Sequence, residues 1–287
     1  MLEIRDNNPQ LLPGRSLEHA KARYVVQPGQ TVDLSQWPTR EKPIYPISKD
    51  ASHDILHNLR TDLHDLQKVL YAQDQEKVLI VVQAMDTGGK DGCIRHVFSG
   101  MDPQGVNVIP FKAPSREELA HDYLWRIHQE VPKNGHLTIF NRSHYEDIIA
   151  VRVKNLAPQE VWERRYQHII NFEQMLADEG VTIVKIFLHL SKNEQQERLQ
   201  ARLDNPDKHW KFNPDDLKDR ARWDEFQEAY SSVLSATSTE AAPWFVIPAD
   251  RKWYRNLVVA EIVRDRLTEL GMTFPTITWD PSEVEIR

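Results

Sequence analysis

The sequence predicts an α/β fold in which a parallel β-sheet lies between layers of helices. Short apolar segments alternate with segments of helical periodicity from about residue 53 to Gly271. The segment 181–190, V-T-I-V-K-I-F-L-H-L, begins with an unbroken apolar run, which is typical of a strand buried on both faces. At 287 residues, with 40% apolar and 28% charged residues, the chain suits one soluble domain with additions.

Residues 1–50 differ from the remainder because prolines interrupt them and their periodicity is weak. Examples are N-N-P-Q-L-L-P-G and K-P-I-Y-P-I. Proline restricts φ and removes a backbone donor, so repeated prolines prevent a regular helix. We therefore expect an extended arm over 1–50, packed on the 51–287 body or on a neighbouring subunit.

In the 51–287 body, strands and helices are predicted in alternation. The strands are expected at 78–83, 106–111, 136–141, 181–190 and 244–248. Helices are expected at 53–72, from Pro158, after Asn213, and from about 251 to Gly271. Two more are expected to begin at capping boxes: one at Ser115 and Glu118 that runs as far as Ile127, and one at Ser191 and Glu194 that runs to Arg202.

Charge and composition exclude several classes of function. The formal net charge of -7 disfavours a nucleic-acid partner, since the whole molecule would repel a polyanion. No apolar run approaches the roughly 20 residues that span a bilayer, so no membrane is expected as a partner. The single cysteine, Cys93, excludes an internal disulfide, and the first residues carry no secretory h-region. We therefore expect a cytoplasmic protein.

The stretch Q-A-M-D-T-G-G-K-D-G, residues 83–92, resembles a phosphate-binding loop that departs from G-x-x-x-x-G-K-[ST]. Ala84 replaces the first glycine, and Asp91 replaces the hydroxyl residue. A strand that opens into such a turn and then a helix directs backbone N–H groups at one point, where phosphate binds. The alternative is an ordinary turn with a surface lysine. The expected phosphate contacts come from Gly88, Gly89, Lys90, Asp91, Gly92 and Arg95.

A second motif, F-N-R-S-H-Y-E-D at 140–147, lies at the carboxyl end of a predicted strand. In open α/β sheets ligands bind at that edge, so this motif should face the same crevice as Lys90, through Asn141, Arg142, Tyr145 and Glu146. Phosphate-loop enzymes commonly place a magnesium-binding aspartate here, and Asn141 cannot supply that charge. Asp86 could instead bind magnesium or orient the attacking phosphate oxygen. Asp91 is the alternative, unless it only compensates the positive end of the helix.

A third, basic element follows the 181–190 strand. Arg198 and Arg202 are four residues apart and share one helical face. Lys208 and Lys211 follow in a turn-rich segment, and we interpret 203–230 as a cationic lid over the crevice. The alternative is a solvated loop whose charges pair with neighbouring aspartates, namely Asp204, Asp207, Asp215 and Asp216.

Four blocks occur together in the order typical of the family-2 polyphosphate kinases, a branch of the phosphate-loop kinases. They are Q-A-M-D-T-G-G-K-D-G, F-N-R-S-H-Y-E-D, D-N-P-D-K-H-W-K and A-P-W-F-V-I-P, and the resemblance covers roughly 50–270. It implies a phosphate-loop kinase three-layer sandwich with a parallel sheet, a helical lid and an N-terminal arm. It also implies magnesium-dependent transfer of the terminal phosphoryl group of inorganic polyphosphate to a nucleotide, or the reverse, by a protein that we expect to be a homo-oligomer.

The resemblance implies roles for individual residues. Asp86 resembles the aspartate that positions the acceptor phosphate and the metal. Lys90 and Arg142 resemble the cations that hold the transferring phosphoryl group. The family's helix and lid residues correspond to Arg198, Arg202, Lys208 and Lys211.

The second motif departs from the F-D-R-S-W-Y-N-R of many members. Here it contains Asn141 and Glu146, and the Glu146 form resembles the branch that accepts nucleoside mono- and diphosphates. We therefore expect AMP and ADP as acceptors, ADP and ATP as products, and nucleotide contacts from Asn141, Tyr145 and Glu146. Two alternatives are an ATP-dependent nucleoside monophosphate kinase and a non-catalytic sensor of polyphosphate or nucleotide.

Overall fold

The computed structural model describes residues 18–41 and 49–286, and its centre is a six-stranded sheet. The strand order is β1-β6-β5-β2-β4-β3, and every neighbouring pair is parallel except β1 with β6. The strands are β1 (Val25–Val26), β2 (Lys77–Ala84), β3 (Val106–Pro110), β4 (Leu137–Asn141), β5 (Val181–His189) and β6 (Trp244–Pro248). The predicted α/β class with a parallel sheet is confirmed.

Most of the helices fall into two groups, and the helices of each group pack against one another. One group contains α1 (Glu18–Tyr24), α2 (Ala51–Gln73), α3 (Lys90–Phe98) and α10 (Lys252–Glu269); the other contains α5 (Glu146–Val153), α6 (Gln159–Asp178), α8 (Asp215–Ala221) and α9 (Trp223–Thr237). The remaining helices are α4 (Trp125–His128) and α7 (Lys192–Leu203). None of the helices described is long and apolar enough to cross a membrane.

The central strands explain why the core is apolar almost throughout. In β2 every residue after Lys77 is buried, because β4 and β5 flank it and helices cover both faces. The five parallel strands end at one edge of the sheet. The segments that follow β2, β4, β5 and β6 therefore meet at that edge, which is where ligands bind in such folds.

The N-terminal arm is not extended throughout, which corrects one expectation. Glu18–Tyr24 forms a helix, because this stretch contains no proline and lies between Pro13 and Pro28. The arm also packs on its own body: Tyr24 is 1% exposed, and its hydroxyl lies 2.7 Å from that of Tyr254. Residues 1–17 and 42–48 of the expected arm lie outside the described residues.

The helix expected after the capping box of Ser115 and Glu118 is wrong for most of its length. The box itself forms, since Glu118 N donates to Ser115 Oγ at 3.2 Å and Ser115 N donates to the Glu118 carboxylate. Only a short 3-10 turn follows, and Leu119 is 69% exposed. The Asp122 side chain then accepts from Leu124 N at 2.9 Å and redirects the chain. Without a buried apolar face, the capping box alone does not sustain a helix.

Candidate active site

A cleft of about 930 Å³ lies at the carboxyl edge of the sheet. It is bordered by the loop after β2, the end of β4, the face of α7, the segment 208–216 and the first turn of α10. Thirteen of the predicted site residues line it: Asp86, Gly88, Gly89, Lys90, Asp91, Gly92, Arg95, Asn141, Arg142, Arg198, Arg202, Lys208 and Lys211. The fold thus brings together residues from three separate sequence motifs.

The loop after β2 needs its glycines for two different reasons. A Cβ on Gly88 would lie 2.5 Å from Ala84 Cβ and 2.7 Å from Met85 O, so the turn is too tight for a side chain. Gly89 has φ of 95°, which disfavours L-residues, and its Cβ would lie 2.2 Å from Arg255 Nη1. Gly89 precedes the first residue of α3, so the free N–H groups of that helix begin at the cleft.

Lys90 is buried at the floor of the cleft. Its Nζ donates to Ala84 O at 2.9 Å, and Met85 O lies 3.4 Å away. Burial lowers the pKa of Lys90 to about 8, and the nearby charge of Arg142 acts in the same direction. The two carbonyl oxygens carry only partial negative charge, whereas a phosphate in the cleft would offer this cation a full negative charge.

Asp86 and Arg142 form an ion pair across the cleft, with Arg142 Nη2 donating to Asp86 Oδ1 at 2.6 Å. Burial alone would raise the pKa of Asp86, but the cations Arg142, Lys90 and Lys154 together lower it. Glu146 and Asp86 raise the pKa of Arg142 in spite of its burial. Arg142 also has φ of 65°, an uncommon backbone conformation for a non-glycine residue. The two charges are therefore held at fixed positions beside the loop.

Asn141 occupies the strand end where an aspartate is common in phosphate-loop enzymes. Its Nδ2 donates to Asp91 Oδ1 at 2.8 Å. An aspartate at 141 would repel Asp91, whereas an amide can donate to it. The exchange of Asp for Asn at this strand end is thus matched by the exchange of a hydroxyl residue for Asp91 in the loop.

Asp86 offers a suitable ligand for magnesium. The described residues contain no group of three or more His, Cys, Asp or Glu side chains arranged as a metal cage. Magnesium in phosphoryl-transfer sites is held by one or two carboxylates and the phosphates of the substrate. The side chain of Asp86 is 17% exposed and lines the cleft, so its carboxylate fits that requirement.

Two predicted nucleotide contacts are not brought to the cleft. Tyr145 is fully buried, and its hydroxyl donates to Glu173 Oε1 at 2.8 Å in the core. Glu146 lines a small cavity behind Asp86, where its carboxylate lies 3.6 Å from Arg142 Nη1. The sequence placed both residues in a motif beside the site, but α5 begins at Glu146 and turns these side chains inward.

Arg198 supports the loop from α7. Its Nη1 donates to Gly88 O at 3.0 Å, its Nη2 to Ala249 O at 2.6 Å, and its Nε to Glu194 at 2.7 Å. All three nitrogens are thus bonded within the protein, and phosphate binding by Arg198 stays a prediction. Arg202, one turn later, donates to Lys211 O at 3.1 Å and thereby connects α7 to the following segment.

The segment after α7 contains a 3-10 helix, Pro206–Lys211, and then α8. Lys211 lies over the ring of Trp210, which is 78% exposed. Within residues 18–41 and 49–286, neither Lys208 nor Lys211 forms an ion pair. This disagrees with the alternative in which neighbouring aspartates neutralise the two lysines. The lid itself stays a prediction.

Six charged residues line the cleft but were not predicted as site residues: Lys112, Glu194, Glu197, Asp216, Lys252 and Arg255. Three of them follow the carboxyl ends of strands β3 and β6, so the rule that located the 140–147 motif could have found them. Asp216 lies beside Asp86, and burial together with this neighbouring charge raises the pKa of Asp216 to about 6. The cleft therefore has an acidic end around Asp86.

Comparisons with known proteins agree on one family. The polyphosphate kinase 2 profile matches residues 46–273. An AMP/ADP-polyphosphate phosphotransferase of Meiothermus ruber is 54% identical over 253 residues, which cover 88% of this chain and 95% of that protein. An ADP-polyphosphate phosphotransferase of Rhodopseudomonas palustris is 44% identical, with 89% and 92% covered.

A solved structure supports the same assignment. The crystal structure of polyphosphate kinase 2 from Arthrobacter aurescens superposes with a TM-score of 0.88 at 41% identity. The match covers 92% of this chain and 94% of that one. The family profile, the relatives and the solved structure agree, and the chain belongs to the polyphosphate kinase 2 family.

Proposed function

We propose that the protein transfers the terminal phosphoryl group of inorganic polyphosphate to AMP and ADP, giving ADP and ATP, in a reversible reaction that requires magnesium. Relatives named as AMP/ADP- and ADP-polyphosphate phosphotransferases support these substrates. The observation that carries the proposal is the charge of the cleft. The chain has a net charge of -7, yet seven cleft cations form no ion pair among the described residues: Lys90, Arg95, Lys112, Lys208, Lys211, Lys252 and Arg255.

In the proposed reaction the protein mainly positions phosphates and neutralises charge. The N-terminus of α3 and Lys90 bind the transferring phosphoryl group, whose charge spreads over its oxygens in the transition state. Arg142 stabilises the same charge from the opposite side. Asp86 orients the acceptor phosphate and would hold magnesium, which when bound would neutralise phosphate oxygens. A phosphate beside Lys90 also keeps that lysine protonated, because the negative charge of the phosphate offsets the loss of solvation that lowers the pKa of Lys90.

We place Glu146 behind Arg142 in this scheme. Its carboxylate lies 3.6 Å from the guanidinium and fixes the position of that cation relative to Asp86. A homo-oligomeric state and a cytoplasmic location are parts of the proposal that rest on sequence alone.

The decisive experiment supplies purified protein with magnesium, AMP and polyphosphate but no ATP. We expect ADP and then ATP to form. Asp86→Asn and Lys90→Ala should each lower the rate by about 10²-fold or more, the usual loss when a group that stabilises transferring charge is removed. Lys68→Gln changes an exposed residue of α2 outside the cleft and is expected to keep the wild-type rate.

Two outcomes would favour other functions. Phosphorylation of AMP by ATP alone, with polyphosphate inert, would indicate an ordinary nucleoside monophosphate kinase. Tight polyphosphate binding without any transfer, unaffected by Asp86→Asn, would indicate a sensor.

A further inference from the structure

Arg255 is a buried cation without a counter-ion. It lies in the first turn of α10, just beyond the carboxyl end of β6, and is 2% exposed. Its Nε and Nη2 donate to Asn256 Oδ1 at 3.1 and 2.8 Å, but Nη1 has no hydrogen-bond partner. No carboxylate in the described part of the chain lies within 4 Å of the guanidinium. Burying a charge in this way is costly unless a ligand supplies the opposite charge.

The guanidinium lies beside the first turn of α3. A Cβ on Gly89 would be 2.2 Å from Arg255 Nη1, and a Cβ on Gly92 would be 3.8 Å from Nη2. Only glycine at 89 allows this approach. The unpaired charge therefore adds to the positive potential of the helix N-terminus, at the point where that terminus meets the cleft.

Lys252 extends the same positive region towards solvent. It is exposed, lines the cleft and forms no ion pair among the described residues. Burial of part of its side chain lowers the pKa of Lys252, and the nearby cations Arg198, Arg255 and Lys208 lower it further, although Glu194 partly offsets them. The cations at this edge therefore repel each other more than the one carboxylate compensates. Mutual repulsion at this edge destabilises the empty cleft, and a polyanion would relieve it.

The part of the cleft around Asp86 has a different charge. Asp86 and Asp216 lie there, and the charges that act on Asp86 come from Arg142, Lys90 and Lys154, not from Arg255 or Lys252. A phosphate that brings no metal ion would be repelled by these two carboxylates. The cleft thus has an acidic end, suited to an acceptor phosphate with a cation, and a cationic end suited to several phosphates in series.

We propose that Lys252 and Arg255 form a subsite for the polyphosphate donor and not for the nucleotide acceptor. Lys252 contacts phosphates beyond the transferring one, and Arg255 provides a fixed positive charge beneath the first turn of α3. This subsite rests on the proposed function for the identity of its ligand.

The test measures binding of long-chain polyphosphate and, separately, of AMP by calorimetry. Lys252→Gln and Arg255→Met should each weaken polyphosphate binding about tenfold, the effect of one charge-assisted contact, and leave AMP affinity unchanged. Arg255→Lys retains the charge and should keep most of the affinity. Lys68→Gln and Arg164→Met remove the same charges from exposed positions outside the cleft and should bind like wild type.

A second readout separates a binding role from a structural one. Arg255→Met removes an uncompensated buried charge, so the Tm of the ligand-free variant should equal or exceed that of wild type. A lower Tm with equal loss of affinity in Arg255→Lys would make Arg255 structural and overturn its assignment. Unchanged polyphosphate affinity in the Lys252 and Arg255 variants, or an equal loss for AMP, would overturn the subsite.

Binding does not require turnover, so the two proposals fail in different ways. Wild-type protein that binds polyphosphate through Lys252 and Arg255 but never forms ADP would refute the proposed transfer and support the subsite. Normal transfer with wild-type affinity in both variants would support the function and refute the subsite.

Discussion

Removing Lys185 without its partner tests how far the core beneath the active site depends on charge. Lys185 in β5 and Glu173 in α6 have side chains that are 0% and 1% exposed, and Nζ lies 2.6 Å from Glu173 Oε2. The other carboxylate oxygen accepts from the Tyr145 hydroxyl at 2.8 Å and lies 3.1 Å from His144 Nε2. This buried network therefore holds the segment that follows Arg142.

Lys185→Met conserves most of the volume but leaves the Glu173 carboxylate buried without a cation. Breaking a buried ion pair from one side costs ~3–5 kcal/mol of unfolding free energy. The double variant Lys185→Met/Glu173→Leu removes both charges. It should cost less, about 1–3 kcal/mol, because only uncharged polar groups then lose partners: the Tyr145 hydroxyl, the His144 ring and the carbonyl of Thr237.

Urea unfolding at pH 7 measures both costs, with the m-value as a check that the unfolded states are comparable. Lys218→Gln is the control, since Lys218 and its partner Asp215 have side chains that are 81% and 66% exposed and should show no measurable effect. If the double variant is as unstable as Lys185→Met, or more so, the uncompensated charge of Glu173 is not the dominant cost and the reasoning is refuted.

Three further predictions concern the cleft. Burial lowers the pKa of Lys90 to about 8 in the free protein, so polyphosphate affinity should fall as the pH rises through 8 and the ammonium loses its proton. Lys90→Arg should remove that decline when binding is measured between pH 7 and 10. A decline of equal size in the variant would show that another group causes it. Gly89→Ala should destabilise the protein by more than Gly100→Ala. The two glycines have similar φ angles, 95° and 96°, but a Cβ at Gly89 would displace Arg255, whereas a Cβ at Gly100 would have nothing within 4 Å. Each should cost ~1–2 kcal/mol for the backbone in thermal or urea unfolding, and equal losses would show that the contact with Arg255 is unimportant. Burial and the neighbouring Asp86 raise the pKa of Asp216 from 3.8 to about 6, so its ionisation destabilises the folded protein above pH 6. Asp216→Asn should therefore be more stable than wild type at pH 7, by about 1 kcal/mol after a discount for solvent screening, and an advantage that does not shrink as the pH is lowered towards 4 would contradict this.

Strands and long helices could be predicted from the sequence because their signals are local. The run from Val78 to Gln83 is apolar at most positions, and a strand buried on both faces requires little more. The 53–72 helix shows one apolar face and is observed as Ala51–Gln73. Local signals failed where burial decides the outcome, as in the segment after Ser115, whose capping box forms without a helix behind it.

Side-chain direction was the weakest part of the prediction at the site. Tyr145 and Glu146 belong to the same motif as Arg142, but the backbone turn at 142 and the start of α5 direct them away from the cleft. No periodicity in an eight-residue loop motif encodes that turn. Only the packing of Tyr145 against the buried Glu173 reveals it.

The sequence by itself determined the order of the five parallel strands and of the long helices, the phosphate loop around Lys90, and the resemblance that identified the family. These features depend on residues close together in the chain. The tertiary structure decided which charges meet. Arg255 lies 166 positions after Gly89, and only the packing of α10 against α3 brings its unpaired guanidinium to that glycine. The physical reason is that local periodicity fixes which face of a helix is buried, whereas the partner of a buried charge depends on how distant elements pack together.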